Sequence, residues 1–408
     1  MFKRGKMFGA VLLLAAWSFS LSLVPAAAQS SNADWSLYLI DSMTQQVLRI
    51  YLDGRQETYD LGMPGGTYLG RESTDFTPDG NRIAACINDA PDSPNMSLFV
   101  RDVAAGQQIF TVSFGQTAGC WVNYSNDGSQ IAVSLARHYA GDPNADPNIP
   151  VWQLLVLDAN NGTQLYEMNP IKGSAQFEAG RALMPDVRYF AGNLIVFAGL
   201  AWGTEGFPTP PAYLWQTTDD ALQPVERWWR WGWDALAFTG ELAWVEVNPN
   251  LPAAEPGGPM PQGNVVKLAN DGGQESTIYV NPDWIIMGTK FIDAGRQLAI
   301  NELQAFDPNN MEAPQGTRWI ALNRDGTSSE LVAPPGFSEL VDAPDGFAIL
   351  WASDNTATPL MTLDYHTGRE TTTLWQQQED GGISWSILWA APTRPAQGLT
   401  PFQAISVP

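Results

Sequence analysis

A short pattern recurs along the chain: an aromatic or apolar residue, a Gly turn, and then an alternating apolar segment. It is clearest in DFTPDGNRIAACI at 75–87 and NYSNDGSQIAVSL at 123–135. Six copies are marked by turn glycines spaced about 48 to 64 residues apart, at Gly80, Gly128, Gly192, Gly240, Gly295 and Gly346. Glycine supplies the positive φ that a tight connection between antiparallel strands needs. Each copy therefore predicts a β-hairpin.

A second hairpin-like segment follows each copy, at 97–114, 152–168, 212–226, 264–280, 318–333 and 360–375. Two hairpins per period predict a four-stranded antiparallel sheet, which buries both of its faces only when such sheets are stacked in a ring. The chain begins with an outer-type segment at 36–50 and ends with an inner-type segment at 384–392. We therefore predict an all-β, seven-bladed β-propeller whose closing blade is shared by the two termini.

The strand content of the closing blade stays open at this point. Residues 50–61 could form a further hairpin around Asp53-Gly54. The termini therefore contribute either two strands each or three and one.

The segment DFTPDGNRIAACI resembles the F-x-P-D-G-x-x-I-A repeat of the bacterial, WD40-like propellers of the TolB type. Two or three copies keep the Pro/Asn-Asp-Gly core, whereas the third to fifth copies have lost Pro-Asp. The resemblance implies a propeller of periplasmic or secreted proteins that binds a protein or a ligand. It implies no single activity.

The N-terminus has the pattern of a secretion signal. Lys3, Arg4 and Lys6 precede an apolar run at 7–24, and three alanines at 26–28 form an A-x-A-like end. We predict a signal peptide at 1–28 and a single propeller domain at 29–408, exported to the periplasm, the extracellular space or the cell envelope. The alternative is an uncleaved membrane anchor, since the run is nearly long enough to span a bilayer.

The formal net charge of the chain is −22. Cleavage of the signal would take away three basic residues and no acidic ones, so the mature chain would be still more negative. Such a surface repels phosphate backbones, so nucleic acid is not predicted as a partner. The charge also favours a soluble protein, and we expect a monomer without a second membrane span or a cofactor.

Cys86 and Cys120 are the only cysteines. Measured from the turn glycines of their repeats, both lie near the same end of adjacent inner hairpins. We predict a disulfide between them, as suits an oxidising compartment. The alternative is two buried free thiols.

The long connections should carry the function. The segments 137–150, 199–212, 248–263 and 302–316 each join the second strand of a repeat to the third, and alternating strand directions bring them to one face. The run VERWWRWGWD at 225–234 enters from the same face. Aromatic and Arg side chains can stack sugars or peptides. The predicted ligand-binding residues are Arg227, Trp228, Trp229, Arg230, Trp231 and Trp202, although packing between blades is the alternative role for these tryptophans.

One loop has partial calcium-loop spacing. Asp142, Asn144 and Asp146 follow D-x-[DN]-x-[DN], but Pro147 stands where such loops need Gly and no Glu follows at the twelfth position. A solvated turn is therefore the better interpretation, and no metal is predicted.

Enzymatic signatures are weak. The chain has two histidines, His138 and His366, and no nucleophile elbow, zinc helix or P-loop. We predict no catalytic residues and a binding scaffold for an unknown protein, small molecule or carbohydrate. The alternative is a propeller glycosidase or lactonase whose carboxylates line a central channel. Candidate carboxylates are Asp89, Glu246 and Glu302, each of which follows a turn glycine. The sequence alone does not show whether these three side chains converge.

Overall fold

A computed structural model describes most of the chain between Trp35 and Ser406, less the connections between its strands. The described residues are 35–41, 46–62, 69–70, 73–90, 92–117, 119–137, 151–168, 183–201, 212–218, 221–225, 234–236, 239–246, 263–270, 274–304, 316–331, 339–351, 360–365, 369–375 and 385–406. Within them, no helix is both long and apolar enough to cross a membrane.

The described residues form seven four-stranded antiparallel sheets, the blades. Blade 1 comprises β28 (Trp385–Ala390), β1 (Ser36–Asp41), β2 (Gln46–Tyr51) and β3 (Gln56–Asp60); blade 2 comprises β4 (Thr74–Phe76), β5 (Arg82–Asn88), β6 (Asn95–Asp102) and β7 (Gln108–Gln116). Blade 3 comprises β8 (Gly119–Tyr124), β9 (Gln130–Arg137), β10 (Val151–Asp158) and β11 (Gln164–Met168); blade 4 comprises β12 (Leu183–Ala191), β13 (Leu194–Ala201), β14 (Ala212–Gln216) and β15 (Ala221–Val225). Blade 5 comprises β16 (Asp234–Ala235), β17 (Leu242–Glu246), β18 (Val265–Ala269) and β19 (Glu275–Val280). Blade 6 comprises β20 (Trp284–Ile292), β21 (Gln297–Gln304), β22 (Thr317–Asn323) and β23 (Ser328–Leu331); blade 7 comprises β24 (Glu339–Ala343), β25 (Phe347–Trp351), β26 (Leu360–Asp364) and β27 (Arg369–Trp375).

The blades stand in a ring with their first strands innermost, because neighbouring blades approach each other chiefly through these strands. We call the four strands of a blade a to d from the inside outwards. The predicted seven-bladed β-propeller is confirmed. All six turn glycines of the repeat lie between strands a and b and have positive φ, from 54° at Gly192 to 80° at Gly346.

The closing blade resolves the open question about the termini. Strand β28 is its strand a and pairs with β1, with Ala390 opposite Leu37 and Trp385 opposite Asp41. The N-terminal segment supplies the other three strands, since residues around Gly54 do form the hairpin between β2 and β3. The split is therefore three and one.

The hydrophobic core lies between the blades rather than at one centre. One cluster of buried side chains joins blades 2 and 3, and includes Leu98, Val133 and both cysteines. Cys86 and Cys120 form the predicted disulfide, with their Cα atoms 5.8 Å apart. This bond links strand b of one blade to strand a of the next, where the packed sheets already bring the two Cα atoms within bridging distance.

The C-terminal residues 391–406, which we call the strap, lie outside the strand pattern. They leave β28 at the a–b end of the blades, where Ala391 N donates to Ser36 O. Ala396 N then donates to Ala294 O in blade 6, and Ile405 N donates to Thr277 O in blade 5. The strap therefore links blade 1, the closing blade, to blades 6 and 5, which lie beyond its neighbour, blade 7.

Candidate functional site on the long-loop face

The strand directions divide the molecule into two faces. The a–b and c–d turns lie on one, the short-turn face, and the b–c and d–a connections lie on the other, the long-loop face. The predicted ligand-binding residues Arg227, Trp228, Trp229, Arg230, Trp231 and Trp202 lie outside the described residues, and so do Asp142, Asn144 and Asp146. Across the part of the chain that is described, no group of three or more His, Cys, Asp or Glu side chains could hold a metal ion.

The described part of the long-loop face contains a polar cluster between blades 5 and 6. Its centre is Glu302 in β21, whose side chain is completely buried. One carboxylate oxygen accepts hydrogen bonds from the Tyr279 hydroxyl at 2.9 Å and from the Asn281 side-chain amide at 2.7 Å. The other accepts a 2.8 Å bond from Nε of Arg318, at the start of β22. Glu302 is therefore a buried charge with donors on both oxygens, which is the condition under which such a charge is tolerated.

Burial and the hydrogen bond to Glu302 also change the pKa of Tyr279. Its pKa is raised to about 12, first because the phenol is buried and then because its hydroxyl donates to the Glu302 carboxylate. The phenol thus stays protonated and remains a hydrogen-bond donor throughout the physiological pH range.

Arg318 is held on two sides. Its guanidinium carbon lies 4.1 Å from the centre of the Trp284 ring, at the start of β20, and its Nε is bound to Glu302. Its terminal nitrogens Nη1 and Nη2 form no hydrogen bond with any described residue, and 29% of the side chain is exposed. The guanidinium is therefore oriented by the ring and the carboxylate, while the side chain remains partly exposed. We call the Nη1 and Nη2 pair its outer edge.

Two backbone hydrogen bonds support this cluster, the first continuing the β18–β19 ladder of blade 5 and the second joining blade 6 to blade 5. Asn281 N donates to Asn264 O, and Ile286 N donates to Gly263 O at 2.7 Å. A Cβ atom on Gly263 would lie 2.5 Å from Cγ1 of Val245 in the adjacent strand β17, so a larger residue would disturb the packing within blade 5. The cluster consequently lies beside a hydrogen-bonded junction of two blades.

Glu302, Glu246 and Asp89, which follow turn glycines in the sequence, belong to three different blades. Glu302 belongs to the cluster in blade 6, whereas Glu246 in blade 5 accepts a 2.8 Å bond from Trp244 Nε1. Asp89 in blade 2 accepts a hydrogen bond from the Ser97 hydroxyl. Each of the three has a local partner in a different blade.

A second set of carboxylates lies on the inner strands. Asp75 in β4 accepts hydrogen bonds from the backbone N of Phe76 and, in the next blade, of Tyr124. Asp234 in β16 likewise accepts from Phe291 N of the next blade. Burial raises the pKa of Asp75 to about 7, against the lowering effect of its two backbone donors.

Asp342 in β24 is a third inner carboxylate. It accepts a 2.8 Å bond from Asp293 N of blade 6, and the Thr393 hydroxyl of the strap lies beside it. Burial raises its pKa to about 7 as well. These inner carboxylates satisfy edge N–H groups that the innermost strands leave without a strand partner.

The sequence indicated Glu302 but not its partners. Tyr279, Asn281, Trp284 and Arg318 come from separate strands and connections, and only the packing of blade 5 against blade 6 brings them together. No local pattern marks them. The one available signal was the charge of Arg318 within an acidic chain.

These features define the chain as a seven-bladed β-propeller with a polar cluster at one blade junction. No protein-family model and no curated protein sequence matches it. Among solved structures it is similar to a prolyl endopeptidase, with 14% identity and a TM-score of 0.52 over 85% of this chain. The chain spans 50% of that endopeptidase chain.

Two further solved structures are similar at lower scores. The acylaminoacyl peptidase of Pyrococcus horikoshii matches at 11% identity and a TM-score of 0.46, over 81% of this chain and 48% of that one. The β-propeller domain of the Trilobed protease from Pyrococcus furiosus matches at 11% identity and a TM-score of 0.47, over 84% and 96%. At such identities, the prolyl endopeptidase match shows the fold alone, and the TolB-type resemblance stays a prediction.

Proposed function

We propose that this protein is an exported propeller scaffold that binds a peptide, protein or carbohydrate ligand through its long-loop face. The observation that carries the proposal is the oriented Arg318 guanidinium at the junction of blades 5 and 6. A buried carboxylate and an aromatic ring fix this charged group in place, as preorganised binding sites require.

Export is supported by two independent features. The N-terminal residues have the pattern of a secretion signal, and the Cys86–Cys120 disulfide is of a kind that persists in oxidising compartments. The TolB-type resemblance points the same way, towards the periplasm or the cell envelope.

The inner carboxylates support a scaffold rather than a glycosidase or lactonase. Asp75, Asp234 and Asp342 each bind a backbone N–H of an adjacent blade, so their oxygens serve the junctions between blades. A hydrolase of that type needs carboxylates that face one substrate.

Replacing Trp228 and Trp229 together by Ala tests the proposal. We expect the wild-type chain to retain partners from the native envelope in a pull-down, and the variant to lose them without a large drop in melting temperature. Leu165→Ala is the control, because Leu165 is 42% exposed on an outer strand away from the long-loop face. Equal retention by both variants, or none by the wild type, would contradict a ligand site on this face.

A further inference from the structure

The outer edge of Arg318 has the geometry of a carboxylate receptor. A guanidinium presents five N–H donors in a planar fork, and Glu302 uses the one on Nε. The Nη1 and Nη2 pair is the edge that binds a carboxylate through two parallel hydrogen bonds. Because Trp284 fixes the plane of the guanidinium, little conformational entropy is lost when an anion binds there.

The neighbouring Glu302 does not prevent such binding. Its charge is already shared among Tyr279, Asn281 and Arg318, and its bond to Arg318 uses Nε, so that Nη1 and Nη2 keep their own N–H groups for a second anion. An arginine between two carboxylates, one from the protein and one from the ligand, can satisfy both with separate N–H groups.

The charge of the whole chain restricts the ligand. With a formal net charge of −22, the protein repels a polymer that carries one negative charge per unit, such as a polyuronate. A neutral or basic peptide with a single terminal carboxylate meets no such repulsion. The net charge instead attracts its basic residues.

We infer that Arg318 binds the free C-terminal carboxylate of a neutral or basic peptide, an inference that rests on the proposed function. The carboxylate pairs with Nη1 and Nη2. The peptide chain then extends across the junction of blades 5 and 6 on the long-loop face.

Two immobilised pools of random nonapeptides test the inference, one with free C-terminal carboxylates and one with C-terminal amides. We expect the full-length protein to be retained on the first pool and not on the second. Hydrogen bonds to charged groups contribute about 1.5 to 3 kcal/mol, so Arg318→Gln should weaken retention by roughly tenfold or more. Arg318→Lys should also weaken it, because Lys lacks the fork.

Arg318→Gln leaves Glu302 buried without its charge partner and could unfold the junction. The double variant Arg318→Gln/Glu302→Gln removes both charges, and it should fold while losing the preference for free carboxylates. Arg55→Gln is the matched control, since Arg55 also stacks on a ring, at 4.3 Å from the centre of Tyr51, and pairs with Asp53, but on the short-turn face. Its retention should equal that of the wild type.

Equal retention on the two pools, no retention on either, or unchanged binding by the folded double variant would each overturn the inference. Retention on immobilised polygalacturonate that depends on Arg318 would overturn it in favour of an acidic carbohydrate. The proposed function is tested by a different experiment, the pull-down from the envelope. It fails if the Trp228/Trp229 variant retains every partner that the wild type retains.

Discussion

Single carboxylates on the innermost strands join one blade to the next. Asp75 and Asp234 accept backbone N–H groups of the following blade, and Asp342 accepts one from the preceding blade. The innermost strands are sheet edges, so these N–H groups have no partner within their own sheet. A short side chain with two acceptor oxygens satisfies them without widening the ring.

The raised pKa of Asp75 gives a pH-dependent contribution to stability. Its folded-state pKa of about 7 lies above the ordinary Asp value in the unfolded chain, so the folded protein binds an extra proton between the two values. The contribution is therefore fully present below about pH 4 and is lost as the pH rises towards 7. Asp75→Asn does not titrate. The stability of the wild type relative to this variant should fall by roughly 1 to 3 kcal/mol between about pH 4.5 and pH 8.

Urea unfolding at the two pH values measures this difference. Asp325→Asn is the control, because hydrogen bonds from Thr327 lower the pKa of Asp325 and the group stays ionised over that range. Its stability should follow the wild type in parallel. A parallel course for Asp75→Asn as well would show that Asp75 does not titrate with a raised pKa.

The strap is the element that links the closing blade to blades 5 and 6. Its anchor is Arg324 in the c–d turn of blade 6, which is 8% exposed. The guanidinium pairs with both oxygens of Glu241 in blade 5, donates to Thr400 O of the strap, and lies 4.5 Å from the centre of the Phe402 ring. Phe402 packs in the core between blades 5 and 6, with its ring centre 6.3 Å from that of Phe291.

Phe402→Ala should lower the free energy of unfolding by about 3 kcal/mol or more, as expected for removing a buried aromatic side chain. Urea titration followed by tryptophan fluorescence measures the change. Ile405→Ala is the matched control in the same strap; its side chain is 39% exposed, so the loss should be much smaller. Similar losses for the two variants would mean that the strap does not contribute to the core through Phe402.

The sequence predicts the blades but not the strap, and the reason is physical. Each blade has an alternating apolar pattern and a turn glycine, which are local properties of the chain. Residues 391–406 contain Pro392, Pro395 and Pro401 and no alternation, so nothing in their pattern shows where they pack. The partners of Glu302 were missed for the same reason, since they meet only through the contact between two blades.

At the scale of the whole molecule, ring closure depends on one strand from the distant end of the chain. Strand β28 covers the inner edge of β1, in which Leu37, Tyr38 and Leu39 are fully buried. The two segments are separated by almost the whole sequence, so the closing blade forms only when both ends of the ring have folded. Long-range pairing of this kind is slow and leaves an exposed strand edge until it is complete.

A chain that ends at position 384 should therefore self-associate, because the uncovered edge of β1 can pair with another molecule. A synthetic peptide of residues 385–391, added in trans, should restore the molar mass of the wild type by supplying the missing strand, whereas a scrambled peptide should not. Size-exclusion chromatography with light scattering measures both effects. A chain that ends at 394 keeps β28 and lacks most of the strap, and it should keep the molar mass of the wild type although it is less stable. If the chain ending at 384 were itself monomeric with the melting temperature of the wild type, β28 would not be the strand that closes the ring.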